Sequence, residues 1–130
     1  QIGQDVLVES ETGSGKTLAF SLPIIEQVEG DRTQALILSP TRELAKQITE
    51  EIEKAAGEDV ETVTIYGGVD YGPQVKGAKT ANIVVGTPGR VLDLLQQDKL
   101  QVGDLDFFVL DEADRLLDMG FQDELEAIID

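Results

Sequence analysis

Short runs of apolar residues alternate with helix-like stretches along this chain, a pattern that few layered folds accommodate. The runs are continuously apolar, as in Ala-Leu-Ile-Leu from position 35 and Phe-Phe-Val-Leu from position 107. Such runs suit strands that are buried on both faces of a parallel sheet. The predicted strands are Asp5–Val8, Ala35–Ser39, Val60–Tyr66, Asn82–Val85 and Phe107–Asp111.

Helices are predicted between these strands, which makes the fold α/β with crossover helices. The segment Arg42–Ala56 places Leu44, Ile48 and Ile52 at four-residue spacing, with acids and lysines on its other face. This is the pattern of an amphipathic helix. The other predicted helices are Lys16–Val28, Gln74–Ala78, Gly89–Gln97 and a last one from Asp123 to the end.

The length and the composition limit the class of protein. The 130 residues suffice for one domain and are too few for two, and the abrupt ends suggest that this domain is incompletely represented. The chain has no cysteine and no histidine, so metal chemistry is left to carboxylates and hydroxyls, which suit Mg²⁺. No apolar run approaches a membrane span, and the first residues lack the features of a signal peptide. We therefore expect a soluble, cytoplasmic protein that does not bind membranes.

The charge balance is unusual, because 26 acidic residues stand against 10 basic residues and give a net charge of −16. A field of that sign repels nucleic acids. Two interpretations are open: an ordinary solvated surface, or adaptation to a salty cytoplasm, where ions would screen the repulsion. Three of the four arginines nevertheless lie in or beside the motifs that follow, namely Arg42, Arg90 and Arg115.

A glycine-rich segment, Ser10–Thr17, joins the first strand to the first helix and reads Ser-Glu-Thr-Gly-Ser-Gly-Lys-Thr. In that context glycines allow successive backbone amides to face phosphate oxygens, and the helix N-terminus adds partial positive charge. Lys16 is predicted to reach the β- and γ-phosphates of a nucleotide, and the Thr17 hydroxyl to bind magnesium. The alternative is a chance glycine turn, which the strand–loop–helix context disfavours.

Four residues, Asp111-Glu112-Ala113-Asp114, follow the last apolar run and so stand at the carboxyl edge of the sheet, where ligands bind in open α/β folds. Asp111 is predicted to hold magnesium, partly through water, and Glu112 to orient and deprotonate the attacking water. Taken alone, these acids could equally cap the next helix. Together with the glycine-rich segment they form the two halves of one magnesium–ATP site.

These two motifs and three others, in the same order, resemble the first RecA-like domain of the DEAD-box RNA helicases. The resemblance covers almost the whole chain, and the acidic motif is spelled Asp-Glu-Ala-Asp. It implies a RecA-like α/β/α fold with three layers and a mainly parallel sheet, incomplete here, with ATP and Mg²⁺ as cofactors and RNA as the partner. The matching segments are Thr12–Thr17, Pro40–Ala45, Gly67–Gly68, Thr87–Arg90 and Asp111–Asp114.

The resemblance also implies roles for single residues. Lys16, Asp111 and Glu112 would be catalytic, and Asp114 would couple the acidic motif to a second RecA-like domain. The nucleotide would be held by Thr12, Gly13, Ser14, Gly15, Lys16 and Thr17. RNA, single-stranded or duplex, would be bound through its sugar–phosphate backbone, and such contacts carry no base information. The residues implied are Pro40, Thr41, Arg42, Gly67, Gly68, Thr87, Pro88, Gly89 and Arg90.

Three parts of the family pattern are not found in this sequence: the upstream glutamine motif that binds adenine, the Ser-Ala-Thr motif and the second RecA-like domain. In the family the Ser-Ala-Thr strand lies between the phosphate-loop strand and the strand that ends at Asp111, so we expect a gap in the sheet there. We also expect these residues alone to bind nucleotide weakly and to hydrolyse little of it. An arginine finger, which the second domain supplies in this family, is worth roughly 10³–10⁵ in rate.

Three other functions fit some of these motifs. A DNA-directed helicase or translocase shares the phosphate loop and the acids, although Pro-Thr-Arg-Glu-Leu-Ala and Thr-Pro-Gly-Arg favour RNA. An ATP-gated RNA clamp that does not unwind needs the same motifs as a helicase. A degenerate nucleotide fold is disfavoured because Lys16, Thr17, Asp111 and Glu112 are intact.

Overall fold

Five short strands form one sheet in the computed structural model of the chain, which describes residues 6–10, 23–28, 30, 32–103 and 105–129. The strands are β1 (Val6–Ser10), β2 (Ala35–Leu38), β3 (Thr62–Ile65), β4 (Ile83–Gly86) and β5 (Phe107–Asp111). They lie in the order β1-β5-β2-β4-β3, and every neighbouring pair is parallel. Because parallel neighbours need a crossover connection, helices separate most strands along the chain.

The helices of the described ranges are α1 (residues 23–27), α2 (Arg42–Ala56), α3 (Tyr71–Ala78), α4 (Pro88–Gln96), α5 (Ala113–Asp118) and α6 (Gln122–Ile129). A 3₁₀ turn, Gly57–Asp59, follows α2. The longest helix, α2, has 15 residues. None of the helices in the part of the chain that the structure describes is long and apolar enough to cross a membrane.

Two apolar cores lie on opposite faces of the sheet, because successive side chains of a strand point to opposite sides. Leu36 and Leu38 of β2 pack in a cluster with residues of α3, α4, α5 and α6. Ala35 and Ile37 of the same strand pack with residues of α1 and α2. Helices therefore cover both faces, and the predicted three-layer α/β/α arrangement around a parallel sheet is confirmed.

Most of the predicted elements are present, with boundaries that differ mainly at the ends. Every strand begins and ends within two residues of its predicted bounds, and α2 covers the predicted segment, Arg42–Ala56. The helix predicted as Gln74–Ala78 begins earlier, at Tyr71, and includes Gly72 and Pro73. Proline is tolerated there because the first-turn amides of a helix have no intrahelical partner. Helix α5 was not predicted, since only six residues form it directly after the strand.

The gap expected beside the phosphate-loop strand is not present, and that prediction is wrong. Strand β1 pairs directly with β5 along its whole length, from Val6 beside Phe107 to Ser10 beside Asp111. A gap would leave the backbone amides and carbonyls of two facing strand edges without partners, and direct pairing removes that cost. Within the described residues the sheet is continuous from β1 to β3.

All five strands point in one direction, so their carboxyl ends lie at a single edge of the sheet, where open α/β proteins bind ligands. The predicted RNA segments follow β2, β3 and β4 at this edge, and the acidic motif follows β5. Strands β1 and β5 form one side of the sheet and β2, β4 and β3 the other. The fold therefore places the two predicted ligand sites side by side.

Candidate functional site

Two buried acids lie where strand β5 ends: Asp111 is its last residue, and Glu112 follows it. Asp111 and Glu112 are each only 6% exposed, although burial of a carboxylate is costly unless it has partners. Asp111 pairs in register with Ser10, the last residue of β1. The glycine-rich phosphate-loop sequence begins at Ser10, so it starts from the strand end that adjoins Asp111.

Glu112 has a left-handed backbone, with φ 54° and ψ 54°, which costs an L-residue roughly 1–2 kcal/mol. It stands at the N-cap of α5, yet its side chain makes no capping hydrogen bond. Its Oε1 instead lies 3.4 Å from Nη1 of Arg115. The capping interpretation therefore lacks the hydrogen bond that it requires at Glu112, whereas strained residues are frequent at active sites.

Oxygen ligands that suit Mg²⁺ are present at this strand end. Asp111 offers a buried carboxylate, and the second predicted ligand, Thr17, lies outside the described residues. Among the residues that are described, no group of three acidic side chains forms a metal site by itself. This donor set fits an ion that keeps several waters and is completed by phosphate oxygens, as Mg²⁺ is in nucleotide sites.

The segment after β2 joins the carboxyl edge to the start of α2. Thr41 is the N-cap of this helix, and its Oγ1 accepts a hydrogen bond of 3.2 Å from the backbone amide of Leu44. A hydroxyl can donate as well as accept. Thr41 can therefore cap the helix and still donate to a phosphate, at a helix end that already favours anions.

Arg42 is the first residue of α2 and is half-exposed, with its Nε 3.4 Å from Oε1 of Glu43. A hydrogen bond from its own backbone amide, together with Arg42 and Lys46, lowers the pKa of Glu43 below its ordinary value. An exposed ion pair of this kind contributes little to stability. A phosphate could therefore take the place of Glu43 as the partner of Arg42.

The turn after β3 approaches Arg42. Gly68 has a φ of 86°, a left-handed conformation to which glycine is best suited. A Cβ atom placed on Gly68 would lie 4.0 Å from Nη1 of Arg42. Gly67, Gly68 and Val69 are all exposed. The backbone therefore turns at Gly68, and this turn lies against Arg42, a predicted RNA-binding residue.

The segment after β4 reaches the same turn from its other side. Thr87 is the N-cap of α4 without a side-chain capping bond, and its amide donates to the carbonyl of Ile65 at 2.9 Å. Arg90, in the first turn of α4, donates from Nη2 to the carbonyl of Val69 at 3.1 Å. It also donates from Nη1 to Oε1 of Gln74 at 3.2 Å.

These three segments form one surface, because β2, β4 and β3 are neighbours in the sheet. We name it the basic edge and define it by Arg42, Gly68, Thr87 and Arg90. Arginine, hydroxyl, backbone amide and helix N-terminus are the groups that proteins use to bind phosphates. The basic edge is therefore suited to the backbone of a nucleic acid.

Two residues near the basic edge have no place in the predicted motifs. Lys46 lies with its Nζ 5.2 Å from the ring centroid of Tyr66, a cation–π contact. Its position four residues after Arg42 places it on the same face of α2, which is a signal that the sequence offers. Gln74 is 5% exposed and bonds to Arg90. The sequence offers no such signal for Gln74, because a polar residue on a short helix is usually exposed.

The remaining predicted site residues are distributed as follows. The side chains of Pro40 and Pro88 are buried, so these two residues pack inside the segments that follow β2 and β4. Gly89 and Asp114 are exposed. The residues predicted to hold the nucleotide lie outside the described residues: Thr12, Gly13, Ser14, Gly15, Lys16 and Thr17.

A known protein family matches the whole chain. The family model described as "DEAD/DEAH box helicase" matches residues 1–130. A probable ATP-dependent RNA helicase of Methanocaldococcus jannaschii is 46% identical over 127 residues, which are 96% of this chain and 35% of that protein. The DEAD-box ATP-dependent RNA helicase CshA of Streptococcus pneumoniae is 45% identical over 131 residues, 98% of this chain and 25% of that protein. The chain thus spans 35% and 25% of the length of these two relatives.

Solved structures show the same fold. A crystal structure of a DEAD box protein from Methanococcus jannaschii superposes with a TM-score of 0.87 at 46% identity, over 95% of this chain and 35% of that one. The crystal structure of a hypothetical ATP-dependent RNA helicase from Sulfolobus tokodaii gives a TM-score of 0.84 at 37% identity, over 95% and 37% of the two chains. The RecA-like fold that the sequence predicts is therefore confirmed.

Proposed function

Because this chain belongs to the DEAD/DEAH box helicase family, we propose that it is the part of an ATP-dependent RNA helicase that binds Mg-ATP and the backbone of one RNA strand. The observation that carries the proposal is the placement of the buried acids of β5 and of the basic edge along one edge of one parallel sheet. The relatives, which are named ATP-dependent RNA helicases, support it.

The nucleotide half of the site would use the glycine-rich sequence after β1. Backbone amides of Thr12–Thr17 would surround the phosphates, and Lys16 would compensate the charge that develops between the β- and γ-phosphates. Asp111 and Thr17 would hold the magnesium ion, which supplies charge neutralisation when it is bound. This assignment rests on the register of Ser10 beside Asp111 and on the family pattern.

Glu112 would orient the attacking water and accept its proton. Its carboxylate is buried and makes no capping hydrogen bond. Arg115, at 3.4 Å, holds one carboxylate oxygen from the solvent side.

The RNA half of the site would bind phosphates without reading bases. Arg42 and Arg90 provide charge, Thr41 and Thr87 provide hydroxyls, and the turn at Gly68 provides exposed backbone. These groups contact the backbone only, so the binding would be independent of sequence. In the complete protein a second RecA-like domain would close on ATP and RNA, bend the strand and separate a short duplex, and hydrolysis would reset it. We propose a cytoplasmic location for the complete protein.

Nucleotide binding is tested first by calorimetry with Mg-ATP and Mg-ADP, on the chain and on Lys16→Ala. We expect a loss of at least about tenfold in affinity, because the lysine contacts two phosphates. Lys79→Ala is the matched control, since Lys79 ends α3 at the opposite edge of the sheet, and it should bind like the unaltered chain. Equal loss in both variants, or equal binding in both, would contradict the assignment of Lys16.

RNA binding is tested with a fluorescent single-stranded RNA of ten nucleotides and polarisation measurements over a range of KCl. Arg42→Ala should weaken binding and reduce the slope of log K against log [KCl] by about 0.7, the value of one lost phosphate contact on a single strand. Arg32→Ala is the matched control: Arg32 precedes β2 at the other edge and pairs with Asp106 at 3.6 Å. A slope that changes equally in both variants would show that the charge acts non-specifically.

Two alternatives, a DNA-directed helicase or translocase and an ATP-gated RNA clamp, are tested on a protein that carries both RecA-like domains. Stimulation of its ATPase activity by RNA and not by DNA supports the proposal, and equal stimulation supports a DNA-directed translocase. Glu112→Gln should abolish turnover and keep or tighten the ATP-dependent grip on RNA. If the cellular role depends on ATP-dependent RNA binding alone and not on ATP turnover, the protein is an ATP-gated clamp.

A further inference from the structure

We propose that Gln74 is a positioning residue for RNA binding, which holds Arg90 and the turn at Gly68 as one rigid unit. The inference rests on the proposed function, since it assigns a residue that lies behind Arg90 to the same RNA-binding surface. Gln74 belongs to none of the five motifs.

The amide of Gln74 bridges two elements of the basic edge. Its Nε2 donates to the backbone carbonyl of Tyr66 at 3.0 Å, at the start of the turn. Its Oε1 accepts from Nη1 of Arg90 at 3.2 Å. Only one orientation of an amide group satisfies a carbonyl on one side and a guanidinium on the other, so these two partners fix which atom is which.

Arg90 closes the connection from its own side. While Nη1 bonds to Gln74, Nη2 donates to the carbonyl of Val69 at 3.1 Å. The turn is therefore held at Tyr66 by Gln74 and at Val69 by Arg90, on either side of Gly67 and Gly68. Glycines at the centre of a turn leave the backbone mobile unless neighbouring groups restrain it, and this ring of three hydrogen bonds supplies the restraint.

Burial strengthens the hydrogen bonds of Gln74. Gln74 is only 5% exposed, so water competes poorly for its amide, and an unpaired amide there would be costly. Arg90 is half-buried, and a guanidinium has five N–H donors. Two of these donors hold the turn. An arginine that is already oriented loses less entropy when it binds than one that is free to rotate.

The direct test is nuclear magnetic resonance of the Arg90 guanidinium in the chain without RNA. The Nη1 and Nη2 groups should give separate signals in the unaltered chain, because both are hydrogen-bonded. Gln74→Met, which keeps the volume and loses both hydrogen bonds, should merge them by faster rotation. Gln74→Glu, whose carboxylate can still accept from Arg90, should keep them separate. Unchanged Arg90 signals in Gln74→Met would overturn the inference.

The second test is a double-mutant cycle on RNA affinity. Gln74→Met should weaken binding about fivefold in the unaltered background and less than about twofold in the Arg90→Ala background, because its effect passes through Arg90. A merely structural defect would weaken both backgrounds equally and would overturn the inference. Gln97→Met is the matched control, since Gln97 is exposed and follows the far end of α4.

The outcomes distinguish the inference from the function on which it rests. If Arg90→Ala leaves RNA affinity unchanged, the proposed RNA site at the basic edge is wrong, and the inference falls with it. If Arg90→Ala weakens binding and Gln74→Met does not, only the inference is wrong. Should Gln74→Met fail to fold, Gln74→Asn makes the same test, because its amide is too short to reach Tyr66 and Arg90 together.

Discussion

Two residues other than glycine have a positive φ in the described part of the chain, Asp98 at 57° and Glu112 at 54°. They differ in their surroundings: Asp98 is exposed in the turn after α4, and Glu112 is buried at the end of β5. Backbone strain of the same kind therefore occurs once at the surface and once at the site. Asp98 therefore carries only the free-energy cost of a left-handed backbone, whereas Glu112 carries that cost together with the cost of burying a carboxylate.

We expect Glu112→Gly to stabilise the chain and to do so more than Asp98→Gly. Glycine removes the left-handed strain at both positions, which is worth about 1 kcal/mol, and at position 112 it also removes a buried carboxylate. Urea unfolding at neutral pH measures the free energy of unfolding of both variants. A Glu112→Gly variant less stable than the unaltered chain would mean that the contact with Arg115 outweighs the strain.

The sequence predicts where the candidate site residues lie better than it predicts their conformations. The order of the motifs locates Arg42, Gly68 and Arg90 at strand ends, and the structure brings all three together. The left-handed backbone of Glu112 could not be predicted, because tertiary packing imposes it on a residue type that seldom adopts it. Gln74 could not be identified either, since its burial depends on how α3 packs against the turn.

At the scale of elements, the start of α2 combines two functions in one residue. Thr41 accepts the capping hydrogen bond of Leu44 and also stands at the basic edge. Stability and RNA binding can be separated here, because the cap needs an acceptor and a phosphate needs a donor.

Thr41→Ala should lower the free energy of unfolding by about 1 kcal/mol and weaken RNA binding, since it removes both functions. Thr41→Asp should keep the stability, because aspartate also caps helices, and should still weaken RNA binding through repulsion of the phosphate. Thr41→Ser should preserve both properties. Thermal unfolding and polarisation of the labelled RNA measure the two effects. Unimpaired RNA binding in Thr41→Asp would exclude the hydroxyl as a phosphate contact.

Strand β4 ends at a position where the backbone of β3 approaches closely. A Cβ atom on Gly86 would lie 2.8 Å from the carbonyl oxygen of Ile65 and 2.5 Å from Cγ2 of Val91. The carbonyl belongs to the sheet and cannot move aside, so glycine is required here for lack of space.

Gly86→Ala should therefore destabilise the chain by about 1–3 kcal/mol, the usual cost of overpacking. Gly72→Ala is the matched control: no atom lies within 4 Å of a Cβ there, and the residue is in α3. It should be neutral or stabilising by up to about 1 kcal/mol, because alanine favours helices. Chemical unfolding measures the free energy of unfolding of the two variants. Equal values would show that the neighbours of Gly86 move aside without a loss of stability.

Elements were predictable where their pattern is local and continuous. The apolar runs identify every strand, and the four-residue spacing of Leu44, Ile48 and Ile52 identifies α2. The first turn of α3 was missed because its glycine and proline are typical of loops. The direct pairing of β1 with β5 was missed because it depends on which strand edges are available in three dimensions and not on either strand alone.

At the scale of the molecule, charge is unevenly distributed. The net charge is −16, yet Arg42, Lys46 and Arg90, three of the ten basic residues, lie at or beside the basic edge. A compact chain of such charge repels itself and also repels RNA, and both effects weaken as salt screens them.

We expect the free energy of unfolding to rise with KCl, by on the order of 1–3 kcal/mol between 0.1 and 2 M, as self-repulsion is screened. Replacing three exposed acids of α2, Glu50, Glu51 and Glu53, by glutamine should reduce this dependence, because fewer charges remain to be screened. Unfolding at several salt concentrations measures both proteins. A stability that does not change with salt would favour an ordinary solvated surface over adaptation to a salty cytoplasm.

The pairing of β1 with β5 also has a consequence for how the chain is made. The partner of Val6 is Phe107, which a ribosome that adds roughly 5–20 residues per second synthesises about 5–20 s later. Throughout that interval the nascent strand Val-Leu-Val-Glu-Ser has no partner of its own, and an unpaired apolar strand readily joins a neighbouring chain. Production of the protein should therefore be sensitive to translation speed and to chaperones that bind the emerging β1 segment.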